Sequence, residues 1–336
     1  MQPCLVAYFI DMKISNLKEI SPAHFTRPVV AIGVFDGFHT GHQKIIRELV
    51  EWAKKIKGES VILTFKRHPR QVLVYRRRKK KNDCLKIPPF SIITFRHRLL
   101  FFERFGINHC VILPFTKKFA DTPAEKFVTD VLIKKIHTAG ILMGFDSSFG
   151  RNCEGNTKTL RSIVSKHNIE LRICSKVKTG KETASSTLVR KLISTGKIKK
   201  ASSMLGRDVS IIGVVVKGDG RGNKIGFPTA NLDLHHETRP PAGVYTGKAE
   251  ISPFNVKNPK LYPAMINIGA RPTFRGKKEM VEVHLIGFSG DLYGKELDVS
   301  FTKKLRDECR FNSAEALIKQ LSKDKKNTLI LFNRRK

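Results

Sequence analysis

Acidic residues are scarce: 29 Asp and Glu face 63 Lys and Arg in 336 residues, a formal net charge of +34. Tryptophan occurs once and tyrosine five times. Such charge points toward nucleic acid, but that class calls for a reader motif or aromatics interleaved with the basic clusters, and neither is present; no nucleic-acid partner is expected. No apolar run approaches the ~18 residues of a membrane span, and the opening MQPCLVAYFI runs into Asp11 and Lys13 without a secretory cleavage pattern, so no membrane partner is expected. Cys4, Cys84, Cys110, Cys153, Cys174 and Cys309 stand far apart with no CxxC pair. That spacing argues against a zinc site and a small disulfide scaffold, and for reduced thiols in the cytoplasm.

What is present is enough for two cores. With 40% hydrophobic residues, the chain is expected to divide into two domains of roughly 100 to 200 residues each. The densest basic run, RRRKKK at 76–81, leads into the proline-bearing NDCLKIPP and reads as a solvated loop. A diffuse positive field also suits an enzyme of polyphosphate ligands, whose encounter rate it raises.

The first part alternates apolar strands with amphipathic helices. RPVVAIGVF, SVILTF, CVILPF, GILMGF and IELRICSKV read as strands. Between them Ile45, Leu49, Ala53 and Ile56 recur at helical spacing up to Gly58, and Phe95, Leu99, Phe102 and Phe105 mark a second helix. In DTPAEKFVTDVLIKKI, Thr122 is placed as N-cap, Pro123 at the first turn and Glu125 for a capping box. NTKTLRSIVSKHN reads as a further helix. Alternation of this kind implies a parallel sheet covered on both faces, with ligands beyond the carboxyl ends of its strands.

GVFDGFHTGH, residues 33–42, falls where the first strand ends and the first helix begins. Gly33, Gly37 and Gly41 let backbone approach a phosphate, and His39 and His42 can donate to its oxygens at a helix N-terminus. A turn with two surface histidines would fit the same letters. Context favours the first reading, because HTGH after a first strand resembles the HxGH signature of the nucleotidyltransferase superfamily. MGFDSSFGRNCEGN (143–156) resembles that family's GxDFxFG loop and ASSTLVR (184–190) its SSTxIR motif. Residues 5–195 are thus similar to the FMN adenylyltransferase domain of the bacterial bifunctional riboflavin kinase/FAD synthetase family.

The second part reads as short strands separated by turns: VSIIGVVVKG, GVYTGKAEI, LYPAMINIG, EMVEVHLIGF and LDVSFTKKL imply an antiparallel barrel or sandwich. KGDGRGNKIGFPTAN supplies Gly218, Gly220, Gly222 and Gly226 in a loop able to wrap a polyphosphate, then Pro228, with Thr229 and Asn231 on one side of an extended segment. Alternation in EMVEVHLIG puts Val281, Val283 and Leu285 on one face and Glu282 with His284 on the other. A plain hairpin and a surface glutamate would also fit. GFPTAN, PAGVY, NIGARPTF, VEVHL and DLYGKEL, however, come in the order found in riboflavin kinases, across residues 205–330.

The resemblance implies a fold, a boundary and two reactions. Residues 1–200 would form a Rossmann-like α/β adenylyltransferase domain, and 201–336 a β-barrel kinase domain. In the barrel, ATP would lie in the 218–227 loop, Thr229 and Asn231 would hold Mg2+, Glu282 would be the base acting on riboflavin, and Arg306 would sit near the flavin. In the first domain, FMN would attack a second ATP, whose phosphates meet Gly33, Phe35, Asp36, Gly37, His39, Gly41, His42, Ser186, Thr187 and Arg190, with Asp146, Phe149 and Gly150 in the flavin and nucleotide loop. Departures fall in the first domain: Lys66 and Arg67 stand where the family has an acid and a proline, Ser147 and Ser148 replace an aromatic and an arginine, and Leu188 replaces an arginine. They leave a kinase with a weakened adenylyltransferase as the alternative. A class I aminoacyl-tRNA synthetase also uses HxGH, but no KMSKS-like loop is found.

Overall fold

The computed structural model describes residues 12–69, 72, 91–218, 220–234, 237–252, 260–273 and 276–334; the RRRKKK run, the opening decapeptide and Cys84 lie outside them. The chain forms two compact units. One comprises residues 10–90 and 98–185; the other comprises 1–9, 91–97 and 186–336.

The first unit is built on a parallel sheet of β1 (Lys13–Asn16), β2 (Val29–Ile32), β3 (Ser60–Phe65), β4 (His109–Leu113), β5 (Gly140–Gly144) and β6 (Glu170–Cys174), in the order β1-β4-β3-β2-β5-β6. Val29, Val30, Val61, Ile62 and Leu63 are fully buried, as expected of strands covered on both faces. β2 is shorter than the apolar run RPVVAIGVF, because a left-handed residue, Phe35 (φ 53°), follows soon after it. The order reverses at β2: the chain goes next to β3 on one side and later to β5 on the other, so the loops after β2 and β5 flank the switch point where such sheets bind ligands. The edge strand β1 has only one apolar residue, Ile14, and no alternation marks it in the sequence. The expected cap at Thr122 is a correction: its hydroxyl donates to the Lys118 carbonyl, while Pro123 begins a short helix, Ala124–Phe127, that widens to π geometry over Val128–Ile133.

The second unit is a closed antiparallel barrel of β9 (Val209–Val216), β10 (Ala230–Leu234), β11 (Gly243–Ile251), β12 (Leu261–Thr273), β13 (Gly276–Leu285) and β14 (Glu296–Arg306), in the order β10-β13-β12-β11-β14-β9; a two-stranded hairpin, β7 (Lys178–Thr179) and β8 (Glu182–Thr183), precedes it in the first unit. Closure removes exposed sheet edges. Ile211, Tyr245, Ile266, Val281 and Phe301 fill its interior. Helices Ser186–Ser194 and Ile198–Leu205 group with the barrel, as does helix Ala314–Asn333, capped by Ser313. Its Leu321 and Leu329 pack on Phe227, Met265 and Ile286. Ser91–His97 also dock here: Thr238 N–H donates to the Ser91 carbonyl at 2.8 Å, Thr94 N–H to Glu237 Oε1 at 3.2 Å, and Arg96 pairs with Glu296 at 2.6 Å.

Candidate active sites

In the sheet unit, His39 is the N-cap of α1 (Thr40–Lys55), and its Nδ1 accepts the His42 backbone N–H at 3.4 Å. An Nδ1 that accepts leaves the ring proton on Nε2, so the cap also sets the tautomer. The two imidazoles stack, centroids 3.7 Å apart and planes within 19°. A Cβ on Gly41 would stand 3.2 Å from two atoms of the His39 ring, which explains the glycine between the histidines. Burial pushes the His39 pKa down to about 4, and burial, His39 and Arg98 hold His42 well below its ordinary value. Both rings are therefore neutral near pH 7, each with one N–H to donate. His42 Nδ1 and Thr40 Oγ1 are buried and have no hydrogen-bond partner among the described residues. At a helix N-terminus, that arrangement suits an anion.

The loop between strand and helix is held by its aromatic residues. Phe35 is 2% and Phe38 0% exposed. Phe35 meets His42 edge-on at 5.3 Å, and Phe38 stacks on Phe101 at 5.0 Å. Asp36 is buried as well, so what Phe35 and Asp36 can offer a ligand is backbone. The loop after the adjacent strand β5 carries Asp146, exposed, then Phe149, whose backbone bridges Gly155, and Gly150, left-handed at φ 74° against Ala124. A Cβ on Gly144 would come 3.4 Å from Ile45 of α1, so the two loops leave the sheet side by side. Ser186, Thr187 and Arg190 lie in the first turns of Ser186–Ser194, the helix that groups with the barrel unit.

The barrel carries a pocket of about 460 Å³ that brings Gly220, Gly222, Thr229, Asn231, Glu282 and Arg306 together. That volume lies in the range of small-molecule sites. Asn231 on β10 pairs in register with Glu282 on β13, and Glu282 faces Asn267 on β12 across the other side. Directly opposed residues of antiparallel strands project on one face with Cβ atoms ~4.5–5.5 Å apart. The glycines follow from this crowding: a Cβ on Gly218 would run into the Asn231 amide, and one on Gly222 into the Phe227 carbonyl and within 3.2 Å of the Thr229 hydroxyl. Gly220 and Gly226 are left-handed, at φ 67° and 78°. Asn231 is 7% exposed, and its Oδ1 has no hydrogen-bond partner among the described residues. An orphaned amide oxygen beside the Thr229 hydroxyl is a hard-oxygen donor pair, fit for a divalent cation such as Mg2+.

Two supports of this pocket went unread in the sequence. His284 shares the face of Glu282, as the alternation implies, but it is only 7% exposed there, and its Nδ1 lies 2.7 Å from the Pro228 carbonyl. That bond fastens the residue before Thr229 to the strand that bears Glu282. Arg306 donates through Nε to Asp324 Oδ2 at 2.9 Å, and Asp324 is only 2% exposed on the C-terminal helix, where Gln320 also binds it. Within KQLSKDKKN that aspartate reads as one more solvated charge. The signal is the helical spacing of Leu317, Leu321 and Leu329, whose side of the helix packs on the barrel and carries the buried Asp324 and Thr328.

The two folds, the histidine-bearing helix N-terminus of one and the pocket of the other define a two-part enzyme, a parallel α/β unit with an adenylyltransferase-type loop joined in one chain to a flavokinase-type barrel. The riboflavin kinase family model matches residues 205–332, and the FAD synthetase family model residues 21–188. The bifunctional riboflavin kinase/FMN adenylyltransferase of Buchnera aphidicola subsp. Schizaphis graminum is 34% identical over 93% of this chain and 95% of its own length. That of Escherichia coli K12 is 30% identical over 93% and 95%. A crystal structure described as a macrolide-efflux protein from Streptococcus pneumoniae superposes with a TM-score of 0.78 at 30% identity, covering 94% of this chain and 98% of that one. Among the described residues no helix is long and apolar enough to cross a membrane. The chain belongs to the bifunctional riboflavin kinase/FMN adenylyltransferase family, and it is a transferase.

Proposed function

We propose that the chain phosphorylates riboflavin to FMN with ATP in the barrel and adenylylates FMN to FAD with a second ATP in the parallel-sheet unit, releasing pyrophosphate. The division into residues 1–200 for adenylyl transfer and 201–336 for phosphorylation is part of the reading, as are a cytoplasmic location and Mg2+ as the metal. The observation that carries it is the pairing of Asn231 with Glu282 in one pocket, an orphaned oxygen donor beside a carboxylate.

In the barrel, the 218–227 loop encloses the triphosphate. Thr229 and Asn231 would hold Mg2+ through their oxygens, and the metal when bound would neutralise phosphate charge. Glu282 takes the proton of the ribityl 5′-hydroxyl as its oxygen attacks the γ-phosphorus, and ADP leaves. Arg306, fixed by Asp324, faces the flavin and nucleotide. Phosphoryl transfer relies on positioning and charge neutralisation, which these residues supply.

In the parallel-sheet unit, a phosphate oxygen of FMN attacks the α-phosphorus of ATP, and the bond to the β-phosphate oxygen breaks. The phosphate is already a nucleophile, so no base is required. His39 and His42 donate to phosphate oxygens as charge develops, and the Asp146–Gly150 loop holds the nucleotide and flavin. Full-length Glu282→Gln tests the reading. It is expected to bind ATP and riboflavin while riboflavin phosphorylation falls by ~10²- to 10⁴-fold, the usual effect of losing a general base. Near wild-type phosphorylation by that variant would refute the assignment.

A further inference from the structure

KRHP, residues 66–69, follows β3 and carries two exposed cations at Lys66 and Arg67. The backbone of Phe65 and Lys66 is held from inside the fold. Arg98, on helix Phe95–Arg104, is 4% exposed. Its Nη1 donates to the Val34 carbonyl at 2.6 Å and to Thr64 Oγ1 at 3.2 Å, and its Nη2 to the carbonyls of Phe65 at 2.8 Å and Lys66 at 3.2 Å. Val34 belongs to the loop that leaves β2, and Phe65 and Lys66 to the turn that leaves β3. We propose that Arg98 is a positioning residue of the adenylyltransferase site: one buried guanidinium ties these two loops together and sets where His39 and His42 stand. The proposal rests on the adenylyl-transfer reading.

The loop after β2 needs such an anchor. Val34 is followed by Phe35 at φ 53°, and Gly37 and Phe38 are left-handed at 81° and 48°. Non-glycine residues keep that conformation only where the surroundings over-determine it. The same helix supplies the rest of the grip, since Phe38 stacks on Phe101 and meets Phe105 edge-on at 4.9 Å, while Phe35 meets Phe102 at 5.5 Å. From Phe35 the support passes to the His42 ring. Buried Asp36 attracts the guanidinium, which remains a cation at neutral pH, and the Cys110 thiol near it is kept protonated, its pKa pushed up to about 12 by burial.

Arginine suits this task because its planar fork has five donors in fixed directions and reaches two loops at once. Lysine would keep the charge but lacks the fork. A purely structural arginine would change stability without altering turnover by folded enzyme. A positioning arginine changes turnover, because a misplacement of about 1 Å in a site can cost ~10²-fold in rate.

The test uses full-length Arg98→Met and Arg98→Lys. Steady-state FAD synthesis from FMN and ATP is measured beside riboflavin phosphorylation on the same preparation, with imidazole NMR signals of His39 and His42 as a readout independent of activity. Arg98→Met is expected to lower kcat for FAD synthesis ~10²-fold with a smaller change in KM for ATP, to shift both imidazole signals, and to leave phosphorylation intact. Arg98→Lys is expected to recover part of the lost kcat. A kcat for Arg98→Met close to wild type, a loss confined to KM, or unshifted imidazole signals overturns the proposal. Should Arg98→Met not fold, Arg98→Lys against wild type decides it on the same criteria. If wild-type enzyme makes no FAD, the adenylyl-transfer reading fails by itself, and the imidazole signals still decide whether Arg98 holds the loop.

Discussion

Replacing His42 by alanine separates transition-state binding from packing. The ring stacks on His39 at 3.7 Å and meets Phe35 edge-on at 5.3 Å. Ring pairs of this kind contribute ~0.5–1.5 kcal/mol each beyond their buried area, so the variant loses on the order of 1–3 kcal/mol of folding stability. A domain stable by ~5–15 kcal/mol remains folded after that loss. Chemistry suffers more. Removing one preorganised donor to a developing oxyanion costs ~2.7–4 kcal/mol, or ~10²–10³ in rate. FAD synthesis from FMN and ATP is therefore expected to fall by that factor at a temperature where circular dichroism shows the variant folded, with riboflavin phosphorylation unchanged. Both steps are followed by flavin fluorescence and chromatography on one preparation. Since burial, with His39 and Arg98, holds the His42 pKa well below its ordinary value, and burial pushes His39 down to about 4, both rings are neutral at pH 6.5 and pH 8 and the defect should be the same at both. Equal loss of the two activities, loss of neither, or a defect that vanishes at either pH refutes the reasoning.

Gly218→Ala drives a methyl group into the Asn231 amide and is expected to raise the ATP and Mg2+ requirements of riboflavin phosphorylation at least tenfold while FAD synthesis from FMN is unaffected; unchanged titrations of both ligands would count against the metal pair. Burial pushes the Glu237 carboxyl up to about 8 against an ordinary 4.5, with Asp298 adding to the rise and Thr94 N–H, Ile212 N–H and Arg239 opposing it. The fold thus holds a proton that the unfolded chain releases above 4.5, so stability falls as pH rises from about 4.5 to about 8 and levels off beyond it. Glu237→Gln, which mimics the protonated acid, is expected to stabilise the protein by a few kcal/mol at pH 8 and little at pH 5, and equal denaturant midpoints for both proteins at pH 8 would refute this. Fragment 201–336 is expected to phosphorylate riboflavin without making FAD and fragment 1–200 to do the reverse; because residues 198–205 form one helix, a fragment from 186 serves as the control, and FAD synthesis by either barrel fragment would reverse the assignment.

Elements whose burial is written in a local pattern were legible. SVILTF became β3 residue for residue, and Val281, Val283 and Leu285 all lie in the interior. The loop motifs were legible for another reason: Gly41 and Gly218 stand where a functional side chain crowds the space of a Cβ, and Gly222 where the Phe227 carbonyl does. What could not be read is whatever depends on contacts remote in sequence. β1 earns its place by pairing with β4 about a hundred residues later, Arg98 reads as one cation of FRHRLL until the ends of β2 and β3 close over it, and Asp324 is solvated in every local view and buried in the fold. Ser91–His97 belongs by contact to a barrel that begins more than a hundred residues downstream.

The orphaned polar atoms suggest why both sites resist a simpler design. A buried donor or acceptor without a partner costs ~1–3 kcal/mol, and selection for stability alone would remove it. Thr40 Oγ1 and His42 Nδ1 in one unit and Asn231 Oδ1 in the other are such atoms, and each sits beside glycines that exclude a competing side chain. Preorganisation has this form: groups kept dry and unsatisfied gain more from a phosphate or its metal than groups already bonded to the protein or to water. It follows that ligand binding should stabilise each unit by more than its surface burial alone predicts, and that His42→Ala and Gly218→Ala should each diminish ATP-induced stabilisation in their own unit only. A single ATP-dependent shift abolished by either substitution would mean that the two units share one nucleotide site, which is incompatible with the assignment of one ATP to each.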